Sequence, residues 1–317
     1  MEVIQVLDRP ASQAFFTVAG RLLFIQSFNP QLRNSIELLF AGWQLTPVSL
    51  PDRSPDIRVS FFCGDQQPDI PDSLNQFETA GGGQCYTNAG ELYLVLQDAL
   101  VHLKETEPVA VDVWLAKLPG PNEPLLATLA SFAVCAALRR FGMFDIHSAG
   151  VVEPRGEQAV LLVGRSGSGK STLALQLALA GWAYLSDDEL LLSLVDAHVE
   201  ARGFRSFFAV DDGERVKRCF EPDVTLGLKR ATHASPGMVL FVSLNGGLKS
   251  EVRKLTQAEA MTRFIRACPW ASYDSSITVA NFAVLSALVR QTVAFDLFAG
   301  RDLLEPGYAA EFLSGLN

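Results

Sequence analysis

The sequence predicts an α/β chain in two parts: a β-rich α+β lobe over residues 1–144, then an α/β core over residues 145–317. Three observations carry that reading. The apolar run Val160-Leu161-Leu162-Val163 feeds a glycine turn, Gly164 to Gly169, that opens directly into the helical pattern Thr172 to Ala178. Short apolar strands and helical stretches alternate after it, whereas before residue 145 short strands are separated by loops rich in Pro, Asp and Gly. The length, 317 residues, exceeds the size at which one hydrophobic core stops growing.

In the first part, residues 14–18 and 22–25 form an expected hairpin around Ala19-Gly20, and residues 29–43 have helical spacing. Strands are expected at 57–63, 85–87, 92–96 and 109–115. Residues 125–141 form an apolar helix that ends in Arg139-Arg140 and Gly142, a basic last turn followed by a helix-stopping glycine.

The second part opens with a strand at 148–152. The strand before the glycine turn follows, then a helix stopped by Gly181, and a strand at 182–185 that runs into Ser186-Asp187-Asp188-Glu189. A hairpin, 190–195 and 199–201, turns around Asp196-Ala197. Residues 238–244 are the next strand, and Thr256-x-x-Glu259 is a capping box that starts a helix. A helix at 279–290, a strand at 292–298 and a helix at 308–316 complete the chain.

Composition excludes several classes. At 49% hydrophobic and 19% charged, the chain can fill a substantial core. It has no apolar run of membrane-spanning length, and Met1-Glu2-Val3-Ile4 lacks a basic start, so a cytoplasmic protein with no membrane partner is expected. A net charge of −9 without a Lys/Arg cluster argues against a nucleic-acid partner, because phosphate backbones are held mainly by basic side chains. The five cysteines (Cys63, Cys85, Cys135, Cys219 and Cys268) are scattered without C-x-x-C spacing, and read as buried thiols.

Chemistry concentrates on one motif. Gly164 to Ser171 is a complete G-x-x-x-x-G-K-S phosphate loop between a strand and a helix, where several backbone N–H groups converge on one point. The expected nucleotide contacts are Gly164, Arg165, Ser166, Gly167, Ser168, Gly169, Lys170, Ser171 and Thr172. Lys170 neutralises the outer phosphates and the Ser171 hydroxyl ligates Mg²⁺. Asp187 and Asp188 end a short apolar strand, where a chain returning from the loop helix sets them beside the phosphates. Paired acids there can divide two tasks, holding the metal and accepting a proton from an attacking hydroxyl. An ordinary turn-capping acid pair is the alternative.

Four landmarks in order carry a resemblance: His147, the loop from Gly164 to Ser171, Ser186-Asp187-Asp188, and Val199-Glu200-Ala201-Arg202-Gly203. They resemble the signature of HPr kinase/phosphorylase, a bacterial serine kinase whose core is similar to that of phosphoenolpyruvate carboxykinase. The likeness covers roughly residues 145–205, with weaker similarity to HPr-kinase-related proteins beyond. It implies a mixed-sheet P-loop core of that type and phosphoryl transfer from ATP, with Mg²⁺, to the serine hydroxyl of a peptide or small protein. It also implies that His147 lies with the acid pair, that Glu200 joins Ser171 and Asp188 near the metal, and that Arg202 forks onto phosphate or onto Glu200. Asp187 is then the base, although exchanging the two aspartates fits nearly as well. A homo-oligomer is implied by the kinship alone.

The chain also departs from that family. Phe220 to Val224 and Leu228 to His233 do not align with the basic proline-glycine loop used in phosphorolysis, so no reverse activity is implied. The first lobe resembles instead the front portions of HPr-kinase-like proteins associated with peptide-modifying gene clusters, a possible acceptor-recognition part. Lys217-Arg218 and Lys229-Arg230 are candidate attractors for an acidic acceptor. A small-molecule kinase, acting for example on free serine, and a non-catalytic nucleotide sensor are the competing readings.

Overall fold

Alternating apolar and polar residues build one mixed sheet from the first part of the chain. The computed structural model describes residues 10–64, 67–72, 74–79, 82–88, 90–120, 124–154, 158–211, 217–268 and 270–316; the side chains of 209–211, 217–220 and 271 lie outside that description. By internal contacts it divides into two units. The first comprises the chain up to Ala41, Leu45–Phe141 and Tyr273–Thr278, and the second Gly42–Gln44, Gly142–Ser272 and Val279 onward.

In the first unit the elements are β1 (Ser12–Val18), β2 (Arg21–Ser27), α1 (Arg33–Ala41), β3 (Thr46–Val48), β4 (Ile57–Cys63), β5 (Asn75–Glu78), β6 (Gln84–Asn88), β7 (Glu91–Leu96), β8 (Ala99–Lys104), β9 (Val109–Leu115) and α2 (Leu125–Arg139). Among the described residues the strands form a nine-stranded sheet in the order β3-β1-β2-β4-β9-β8-β7-β6-β5. The β2–β4 and β4–β9 pairs are parallel and the rest antiparallel. Helix α2 packs on β4, β8 and β9 through Leu126, Leu129, Ala130, Ala133 and Val134. Strand β8 was not among the expected strands. It follows β7 through a Gln97-Asp98 turn in which Gln97 takes the left-handed φ of 53° without a glycine to announce it.

His102 on β8 is buried, stacked on Tyr93 with ring centroids 3.9 Å apart, and its Nε2 lies 3.3 Å from Glu91. Its Nδ1 is buried without a hydrogen-bond partner, so a second ring proton has no acceptor. Burial chiefly, with help from Lys104, holds its pKa below the ordinary 6.5. Just below pH 6.5 the unfolded chain therefore binds the proton that the folded chain refuses, and stability falls as pH drops through that window. Amide-exchange protection of β7 to β9 is expected to be weaker at pH 5.5 than at pH 7.5, and His102→Gln to flatten that difference.

The second unit contains β10 (Phe144–Ile146), β11 (Ser148–Val152), β12 (Ala159–Val163), α3 (Lys170–Leu179), β13 (Ala183–Ser186), β14 (Leu190–Val195), β15 (His198–Gly203), β16 (Phe208–Asp211), β17 (Lys217–Phe220), α4 (Pro222–Leu226), β18 (His233–Ala234), β19 (Pro236–Leu244), β20 (Glu251–Lys254), α5 (Gln257–Ala267), α6 (Trp270–Tyr273), α7 (Thr278–Gln291), β21 (Val293–Ala299) and α8 (Tyr308–Ser314), with the ends of α6 and α7 reaching into the first unit's segment. Its main sheet runs β13-β11-β12-β19-β21-β20, beside a smaller sheet β10-β14-β15-β18 and a β16–β17 hairpin. The β12–β19 and β19–β21 pairs are parallel, while β11 and β20 run antiparallel to their neighbours, so the protein is α/β with mixed sheets.

All five residues of β12 are buried, as suits a central strand covered on both faces. On one face Leu173, Ala174, Leu177 and Ala178 of α3 join Val160, Leu162, Leu240 and Leu297 in one core; on the other, Phe264 of α5 meets Phe241 edge-on at 5.1 Å. The capping box forms, and the Thr256 backbone N–H, ahead of Arg253, holds the Glu259 carboxyl down to about 2. No helix among the described residues is long and apolar enough to cross a membrane. Cys85, Cys135 and Cys268 are buried and Cys63 is half-buried; the Cys219 side chain lies outside the described residues. Burial pushes the Cys85 thiol up to about 12, which leaves it inert.

Candidate functional site

Strand β12 ends at Val163, and the glycine loop carries the chain from there to the first turn of α3. A side chain at Gly164 would bring its Cβ within 2.6 Å of both the Val242 carbonyl and the Ser168 hydroxyl, so only glycine lets the loop leave between β12 and β19. Gly167 and Gly169 take left-handed φ values of 79° and 92°, which glycine adopts without strain. Gly169 caps α3, leaving the first-turn N–H groups of the helix facing the loop.

Lys170 is buried, and its ammonium meets three acceptors: the carbonyls of Gly164 (2.8 Å) and Arg165 (3.1 Å), and His147 Nε2 (3.0 Å). An imidazole nitrogen facing an ammonium must present its lone pair, which assigns the ring proton to Nδ1. The Nδ1 atom lies 3.2 Å from Asp188 Oδ1. His147, in the connection between β10 and β11, thus stands between Asp188 and the loop lysine.

The next residue makes a second link. The Ser171 hydroxyl donates to Asp187 Oδ1 at 2.7 Å. Asp187 is 1% exposed, whereas the Asp188 side chain is 64% exposed, so two adjacent carboxylates occupy opposite environments. The turn beyond β13 divides them. Glu189 N–H donates to the Asp187 carbonyl at 2.9 Å, and Asp188 sits between them at φ 69°. A non-glycine residue in that conformation costs about 1–3 kcal/mol and persists only where its surroundings hold it. Ser186 does the holding: its buried hydroxyl donates to the Glu189 carbonyl (2.7 Å) and accepts from Arg205 N–H (2.9 Å).

A cavity of about 540 Å³ opens over the loop. Ser166, Gly167, Ser168, Gly169, Lys170, Ser171, Thr172 and Asp188 line one side of it. Gly164 contributes its carbonyl to Lys170, while Arg165 lies exposed beside the mouth. Glu200 and Arg202 do not line it. Two residues apart on β15, they share a strand face and pair with each other at 2.8 Å, the Glu200 option named for Arg202. Arg230 is committed to Asp223 (2.7 Å) and the Tyr184 hydroxyl (2.6 Å), and the Lys217 and Arg218 side chains lie outside the described residues. Leu244, Gly246 and Gly247, with Ala299, Gly300, Arg301, Leu303 and Leu304, also line the cavity, and no motif in the sequence marks them as functional. Their sequence signals are glycines at strand ends, Gly246-Gly247 after β19 and Gly300 after β21.

The donor set beside the loop suits a hard divalent cation. A hydroxyl and a carboxylate oxygen lie side by side, without thiolate or imidazole between them, as Mg²⁺ requires.

No protein-family model matches the chain, and no curated protein matches it. Among solved structures, the Hpr(Ser) kinase/phosphatase from Coxiella burnetii aligns at 17% identity over 35% of this chain and 71% of that one, with a TM-score of 0.28. A superposition that loose carries no weight in the functional reading, which rests on the site itself.

Proposed function

We propose that the chain is a Mg²⁺-dependent kinase that transfers a phosphoryl group from ATP to a serine hydroxyl of a peptide or small protein, on a P-loop core of the HPr kinase type. The observation that supports it is the double link of the acids to the loop: Asp187 to Ser171, and Asp188 through His147 to Lys170. A loop that only gripped phosphate would need neither acid.

In this reading the backbone N–H groups at the start of α3 bind the phosphate chain, and Lys170 gives up a loop carbonyl to meet a phosphate oxygen. Ser171 and Asp187 would hold Mg²⁺, which when bound would neutralise charge on the transferred group. Asp188, beside His147, accepts the acceptor's hydroxyl proton as that oxygen bonds to the γ-phosphorus and the bond to the β-phosphate oxygen breaks, its electron pair leaving with ADP. Asp187 and Asp188 thus exchange the tasks first given to them, because the buried carboxylate faces the Ser171 hydroxyl and the exposed one faces the cavity. Glu200 is left out of the metal set, held by Arg202.

The test is incubation with γ-labelled ATP, Mg²⁺ and a library of serine-containing peptides, with free serine in parallel. Label on a peptide is the expected result. Label on free serine alone would make the chain a small-molecule kinase. Tight nucleotide binding with no transfer to any acceptor would favour the sensor reading.

A further inference from the structure

We infer that the far arm of the cavity, between the loop after β19 and the turn after β21, is the binding site for the nucleoside of the phosphate donor, held by apolar contact with Leu244 and Leu304. This rests on the phosphate-loop reading and extends it to the half of the ligand that the loop motif does not describe.

The lining of the arm does not match a phosphate chain. A triphosphate is a thin, strongly hydrated chain that gains nothing from aliphatic walls, yet Leu244, Leu303 and Leu304 also line the cavity. Leu244 and Leu304 are 63% and 52% exposed. Apolar side chains left in water around a concave site, with few charges among them, are the usual lining for a flat organic group. Apart from Arg301, the described lining residues of that arm carry no charge, so its walls are largely neutral.

The arm is continuous with the glycine loop. A Cβ placed on Gly169 would lie 3.2 Å from Leu244 Cδ2, so this leucine flanks the last residue of the glycine loop. A ligand whose phosphates rest on the loop meets Leu244 next. At about 540 Å³ the cavity is larger than a phosphate chain fills and lies in the range of sites for nucleotide-sized ligands.

The arm is built rigidly. Arg301 and Asp302 donate backbone N–H groups to the carbonyls of Gly247 (3.1 Å) and Leu248 (2.9 Å). The Asp302 carboxylate accepts from the Ser250 N–H and hydroxyl, and Asn245 donates to the carbonyls of Lys249 and Phe298. Backbones cross so closely that a Cβ on Gly300 would lie 2.5 Å from the Lys249 carbonyl carbon. Two loops pinned this way present their leucines in a fixed position, so ordering them on binding costs little.

The experiment compares Mg²⁺-ATP with Mg²⁺-tripolyphosphate by calorimetry on the full chain and on the double variant Leu244→Ser with Leu304→Ser. Both substitutions are neutral and replace exposed side chains, and a thermal midpoint near that of the parent verifies folding. Expected is ATP binding about tenfold or more weaker in the variant, with tripolyphosphate unchanged. Unchanged ATP binding in the variant, or equal losses for both ligands, overturns the inference while leaving the phosphate loop standing. If the parent chain binds neither ligand, the phosphate-loop reading itself fails.

Discussion

Lys170→Ala is expected to weaken binding of both ATP and tripolyphosphate and to reduce phosphoryl transfer by a factor on the order of 10³, a loss typical of removing a charged donor from a developing anion. The ammonium is buried at the base of the loop, already desolvated and already aimed by three acceptors, so little reorganisation is needed when a phosphate oxygen replaces one of them. A charge-assisted hydrogen bond in such a place contributes about 1.5–3 kcal/mol, roughly ten- to a hundredfold in affinity. Alanine also leaves the Gly164 and Arg165 carbonyls and His147 Nε2 without this donor, so thermal unfolding must accompany the binding measurement. A folded Lys170→Ala protein with undiminished transfer would remove the glycine loop from the mechanism.

The second large effect separates the two aspartates. Asp188→Asn keeps the shape and the contact with His147 but cannot accept a proton, so nucleotide binding should persist while transfer falls by about 10²–10⁴, the usual contribution of a positioned general base. Asp187→Asn should behave differently, reducing the Mg²⁺ dependence of ATP binding because the carboxylate beside Ser171 is gone. Binding isotherms with and without Mg²⁺, set beside single-turnover transfer, distinguish the two. If Asp187→Asn is the variant that binds normally and fails only in transfer, the tasks revert to the original division.

Much of this was legible in the sequence where local rules act alone. The loop, its strand and its helix are written in consecutive residues, and so are the hairpin around Asp196-Ala197 and the capping box at Thr256. The ends of β4 and β9 follow from apolar runs bounded by loops. Other features depend on partners distant in sequence. β18 and β20 are two and four residues long and exist because a neighbouring strand pairs with them. The divergent surroundings of the two aspartate side chains follow from a turn at φ 69°, which spacing alone does not specify. Glu200 and Arg202, drawn to the site by likeness, satisfy each other on their own strand. The leucine arm was missed because it joins two loops more than fifty residues apart, each unremarkable by itself.

The first unit has a debt to the end of the chain. Arg140, nearly inaccessible, is paired with Glu105 and with the equally hidden Asp274, and Tyr273 stacks on Phe77 with centroids 4.3 Å apart. During synthesis the ribosome delivers residues 10–141 long before Tyr273–Thr278 emerges, so the guanidinium must wait half-satisfied while more than a hundred further residues are added. A polypeptide released at residue 144 would never receive that second carboxylate, and excision of the first unit for separate study would need the 273–278 strip supplied in trans.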